Sequence, residues 1–267
     1  AKTRTAQVFY GLLALGWRGA AGHWARWRRI YRLTAAIAVP LVVSVHSEVS
    51  LLLAAGPIPG WTSTVFPPYF VLGAAFSGFA VVSMIAIVLR HALGLENLVT
   101  AKHLDQLGKL TLVCGLMTGY GYVSEVFNAL WSGDPVELDT MTNRMTGWAA
   151  WSYWGAVAFN FIPLQALWWK RVRTSPIPLF LISLSVVFGM WFERYMLLAA
   201  TLTHHGLVSS FSTYSPSFWE WSLYFGSIGL FLTLFLLFVR ALPIISASEL
   251  KAETAPTGER AREAAHG

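Results

Sequence analysis

The chain has 267 residues, of which 55% are hydrophobic and only 12% charged, with 13 tryptophans and a mean hydropathy of +0.55. A soluble domain carries roughly 25% charged residues, so this composition excludes an ordinary soluble fold and calls for an all-α integral membrane protein. The formal charge of +6 would suit nucleic acid or another anionic partner, but the placement of the basic residues explains it as membrane topology, and no nucleic-acid partner is expected. The single cysteine, Cys114, excludes an internal disulfide, a cysteine-held iron–sulfur cluster and a thiolate zinc site.

Residues 1–32 hold seven Lys and Arg among Trp17, Trp24 and Trp27, which reads as an amphipathic cytoplasmic segment on a membrane surface or a plain basic loop. Ala1 opens this segment either after methionine removal or because an upstream half is missing. Six spans follow, at about 33–55, 70–89, 110–131, 148–169, 176–201 and 218–243, each long enough for a ~30 Å hydrocarbon core. The bundle is thus 33–243, and residues 244–267 form a polar, Ala- and Glu-rich tail expected to be disordered. Gly73, Ala74, Ala75, Ser77 and Gly78 in the second span, and Gly115, Gly119 and Gly121 in the third, give small faces for close helix packing. Asn160, Pro163 and Gln165 interrupt the fourth span, so its freed backbone groups need partners from neighbouring helices.

The loops divide sharply by charge. Seventeen of the nineteen Lys and Arg residues fall in the initial segment, the second-to-third and fourth-to-fifth connections and the tail; the opposite side has only Arg144, in an acidic loop with Asp134, Glu137 and Asp139. The positive-inside rule then puts both ends of the chain in the cytoplasm and the 46–78 stretch outward.

That stretch, HSEVSLLLAAGPIPGWTSTVFPPYFVLGAAFSG, carries ionisable groups at membrane depth and a loop shaped by Pro57, Pro59, Pro67 and Pro68. His46 and Glu48 in the first span, Glu125 in the third, and Glu193 and Arg194 in the fifth all lie in the outer half. Acids at the centre of a spanning helix cost about 2.5–3.5 kcal/mol, so these five are expected to face the bundle interior as a quinone or proton site. Arg194 is expected to pair with Glu125 or Glu193, and His46 and Glu48 to connect through water. A purely structural ion-pair lock is the alternative. Haem would need facing histidines, and only His46 is at depth. An ion or proton transporter remains the alternative of another class.

YGLLALGWRGAAGHW, PLVVSVHSEVS, PGWTSTVFPPYFVLGAAFSG, GYGYVSEVFNALWSG, GMWFERY and GLFLTLFLLFVRALPIISASELK together resemble the polysulfide reductase, NrfD-like membrane subunits. More narrowly they are similar to ActC and ActF, the two such subunits of bacterial alternative complex III, over nearly the whole chain. The resemblance implies further spanning helices upstream, making this chain the second part of an NrfD-like helical bundle subunit in the bacterial inner membrane. It also implies an iron–sulfur subunit, haem c subunits and a paralogous NrfD-like subunit as partners. Haem and iron–sulfur clusters would sit in those partners, with menaquinone or ubiquinone the one small molecule near this chain. The quinol-oxidising pattern is similar to H-(S/T)-x-V-S-x-D-F-A followed by P-G-W-H. His46, Ser47, Val49 and Ser50 match, but Leu52 replaces the aspartate and Thr62 the second histidine, which favours an ActF-like role in proton movement or assembly over quinol oxidation near His46.

Overall fold

The computed structural model describes residues 4–56, 58–62, 65–204 and 208–241. The expected tail 244–267, the last residues of the sixth span and Pro57 lie outside them. Among the described residues all regular structure is helical.

A short helix α1 (Arg4–Leu13) is separated from α2 (Ala21–Ala54) by a turn in which Leu15, Gly16 and Gly19 have positive φ. The basic stretch after Ala21 is therefore not a separate surface segment. It continues into the first span as a single helix of 34 residues, with Trp24, Trp27 and Tyr31 in successive ring contacts along it. Helices α3 (Phe66–Ala92) and α4 (Ala101–Trp131) follow as the second and third spans. The acidic connection expected as a loop is instead a helix, α5 (Pro135–Thr146), capped by the Asp134 carboxylate accepting from Val136 N–H and started by Pro135.

Among the described residues five helices are long and apolar enough to cross a membrane, those beginning at Ala21, Phe66, Ala101, Pro176 and Phe218. The fourth expected span is not one of them and lies in two pieces, α6 (Ala150–Phe161) and a 3₁₀ turn (Pro163–Trp168), leading into α7 (Lys170–Thr174). At 1.5 and 2.0 Å per residue the two pieces still cover about 30 Å. Pro163 causes the break, since it has no N–H to give the carbonyl four residues back. That carbonyl belongs to Phe159, and Ser185 Oγ of the neighbouring helix donates to it at 2.8 Å. Gln165 Nε2 serves the Phe161 carbonyl at 3.2 Å, and Arg173 Nη1 donates to the carbonyls of Leu167 and Trp168 at 2.6 and 2.9 Å. The fifth span is α8 (Pro176–Tyr195), extended through a π turn (Met196–Ala200) to α9 (Thr201–Thr203); the sixth is α10 (Phe218–Ala241).

Helices α3, α4, α6 and α8 form the packed bundle, with α2 against α3. Close approach of α3 and α4 requires Gly121, because a Cβ there would lie 2.5 Å from the Tyr69 ring. Helix α10 is exposed along its length and meets α8 through Trp221 and Tyr224 beside Trp191. The chain alternates between two ends. A basic end carries the connections 93–100 and 162–175, where Arg173 Nε reaches Asp105 Oδ1 at 2.8 Å. An acidic end carries 58–62, 132–149 and 208–217. Two buried clusters fill the bundle. The one nearer the basic end is built on Phe76, Leu112, Leu164, Leu167, Leu179 and Val186.

The Ser185 contact has a measurable consequence. Ser185→Ala orphans the Phe159 carbonyl in the hydrocarbon layer and should cost about 1 kcal/mol. In a Pro163→Ala background, where a backbone N–H can return, thermal unfolding in detergent should show most of that cost gone.

Candidate functional site

At the acidic end α5 turns back over the bundle and presents Glu137, Thr140, Met141 and Arg144 inward, the i, i+3, i+4, i+7 face of a helix. Arg144 is the largest fully buried side chain, 2% exposed. An arginine is never neutral in practice, so its partners must be found within the fold. Its Nη1 lies 3.6 Å from Glu125 Oε1 on α4, and its Nη2 donates to Thr201 Oγ1 at 3.0 Å and to the Gly60 carbonyl at 3.3 Å. Three separate chain segments thus converge on one guanidinium.

Gly60 is held from both sides, for its N–H donates to Glu137 Oε1 at 3.2 Å. Its φ is +80°, and a Cβ there would lie 2.7 Å from Arg144 Nη2, so only glycine fits the P-G-W turn. The next residue, Trp61, is 4% exposed and donates its indole N–H to the Leu197 carbonyl at 3.0 Å. Leu197 lies in the π turn, where the shift from i→i+4 to i→i+5 pairing interrupts the ordinary ladder. The turn makes its backbone a binding partner for the loop.

One turn deeper, Glu193 is fully buried. Its Oε2 accepts from the Tyr122 hydroxyl at 2.7 Å, and its Oε1 is 3.5 Å from Arg194 Nη2. Arg194 lies over the Phe70 ring at 3.9 Å and lines α3 at Gly73. The Tyr69 hydroxyl is buried beside Glu193 and Tyr122, and its ring meets that of Tyr122 at 5.7 Å. Protonatable groups therefore descend from Glu137 through Glu125 to Tyr122 and Glu193, and then meet the apolar cluster built on Phe76 and Leu164.

Of the five residues expected at the site, the structure gathers Glu125, Glu193 and Arg194. Of the two partners expected for Arg194, it reaches its sequence neighbour Glu193, because two long side chains about 100° apart on a helix can still meet, and Glu125 is taken by Arg144. His46 and Glu48 are not drawn in. The His46 ring Nδ1–H donates to the carbonyl of Val42 in its own helix at 2.8 Å, and Glu48 is exposed on α2. Arg144, Tyr122, Tyr69 and Thr201 were missed from the sequence. The helical face of 137, 140, 141 and 144 was the available signal. Among the described residues no three His, Cys, Asp or Glu side chains gather as a metal-ligand set.

Fold and site together define a multi-pass helical membrane protein with a buried acid–base network in one half of its bundle. The family model for NrfD, polysulphide reductase, matches residues 7–206, and the chain belongs to that family. At that level it is a membrane subunit of an electron-transfer oxidoreductase, of the kind that works with iron–sulfur and other redox subunits. A search of curated proteins finds no match.

The Arg144–Glu125 pair gives a direct test. Arg144→Leu leaves Glu125 without its counter-charge and should cost about 3–5 kcal/mol, whereas the double change to leucine at both positions should recover much of it. Thermal unfolding of the two variants in detergent would measure the difference.

Proposed function

We propose that this chain is a membrane subunit of a quinol:electron-acceptor oxidoreductase of the alternative complex III type, with an ActF-like role in proton translocation and assembly. The observation that carries the reading is the linked set Glu137, Glu125–Arg144 and Tyr122–Glu193–Arg194 within an NrfD bundle. Glu125 and Glu193 each have an arginine beside them, and Glu137 is joined to Arg144 through the two sides of Gly60, so the protonatable groups sit among polar partners and not against lipid. Leu52 and Thr62 stand where the quinol-oxidising pattern has Asp and His, and the His46 ring is engaged by its own helix. These features weigh against quinol oxidation at His46.

In this reading the acidic end faces the periplasm and both ends of the chain are cytoplasmic, in the inner membrane of a bacterium. Electrons pass through an iron–sulfur subunit and haem c subunits, and a paralogous NrfD-like subunit holds the quinone. The second reading, an ActC-like subunit with menaquinone or ubiquinone near His46, is favoured by the half-buried position of that ring on a helix open to lipid.

Two measurements test the proposal. Membrane-impermeant thiol labelling should reach a cysteine at Thr62 from the periplasmic side and one at Thr174 only after the membrane is opened; the reverse pattern contradicts the orientation. Affinity purification of the full chain should bring iron–sulfur and haem c subunits with it, whereas a cofactor-free homo-oligomer that transports ions would favour the transporter class.

A further inference from the structure

We propose that Glu137 is the group through which Glu125 exchanges protons with water at the acidic end, by way of a water held in the small cavity between them. The inference rests on the proton-moving role proposed above and assigns the exit that such a role requires. The cavity has a volume of about 30 Å³ and is lined by Glu125, Asn128, Glu137, Thr140 and Arg144, among others. A cavity needs about 10–15 Å³ of such space to admit a water, which then needs two to four polar partners, and this one meets both conditions. The Thr140 hydroxyl already donates to the Val136 carbonyl at 2.8 Å, so toward the cavity it can only accept.

Position makes Glu137 the outward member. It is half-buried on α5 between the exposed Asp134 and Asp139, whereas Glu125 is 12% exposed and held from behind by Arg144. In the other direction Glu125 is one helical turn from Tyr122, and the cluster around Phe76 and Leu164 lies toward the basic end. The step itself is a relay. The Glu125 carboxyl gives its proton to the water as the water gives one of its own to a Glu137 carboxylate oxygen. One proton moves, the water is regenerated, and Glu137 releases the proton to the aqueous phase.

Glu137 also holds the Gly60 N–H, so a purely structural role must be separated from a relay. Glu137→Gln keeps an oxygen that can accept from Gly60 but cannot carry the proton; Glu137→Ala loses both. The measurement is proton release by the intact complex in sealed vesicles, driven by menadiol and followed with a pH-sensitive dye, with subunit copurification as the check on assembly. The relay predicts that Glu137→Gln assembles normally while its proton release falls at least about a hundredfold, the low side of what a positioned acid–base group contributes, and that Glu125→Gln falls as far. Normal release in Glu137→Gln, with only Glu137→Ala impaired, would overturn the relay and leave a loop clamp. A loss in Glu137→Gln but not in Glu125→Gln would overturn the link between the two. If both glutamine variants release protons as the parent does, or the parent releases none, the proton role proposed for the chain falls as well.

Discussion

The cost of leaving a charge or a hydrogen-bonding group unpaired in hydrocarbon governs this structure more than any packing contact does. Apolar side chains gain little by leaving lipid for a helix interface, so helix association in a membrane depends on close packing and on polar partners. The acidic-end network supplies the polar partners. Arg144 alone joins α5 to α4 through Glu125, to the P-G-W turn through Gly60 and to the fifth span through Thr201. Its removal would release three segments at once.

The same constraint explains the two irregular spans. Breaks in the helical ladder are tolerated at membrane depth only where other groups satisfy the freed backbone. At Pro163 the Ser185 hydroxyl, the Gln165 amide and the Arg173 guanidinium do so, and the break lets the chain reach Asp105 at the basic end. At the π turn the Trp61 indole does so, and the break anchors the loop over the site. One irregularity is thus structural, and the other belongs to the site.

Much of this was legible in the sequence because membrane burial writes itself plainly. Span positions followed from hydropathy, the close packing at Gly73, Gly115, Gly119 and Gly121 (though not at Gly78, which faces open space) from composition, and the need for outside partners near Pro163 from its missing donor. Glu125, Glu193 and Arg194 were recognised as too costly to face lipid, and they do meet protein partners. What escaped was the fold of residues 132–147. Read by charge alone, they form an acidic loop, and Arg144 became a residue counted for topology. Only the helical spacing of Glu137, Thr140, Met141 and Arg144 shows that this segment has an inward face. The pairing was equally hidden, since nothing in the sequence says which carboxylate a guanidinium will reach. His46 and Glu48 stood out for the same reason as the others, yet they lie on α2, which packs mainly against α3, and local geometry turned the His46 ring back to its own helix.

The central claim is that Arg144 is an interior residue that ties the P-G-W turn to Glu125. A density map of the full complex in a lipid nanodisc tests it most directly. The account predicts continuous density from the Arg144 guanidinium to the Gly60 carbonyl and the Thr201 hydroxyl, with the Glu125 carboxylate beside it. An Arg144 side chain projecting into the aqueous phase at the acidic end, with Glu125 paired elsewhere, would contradict it.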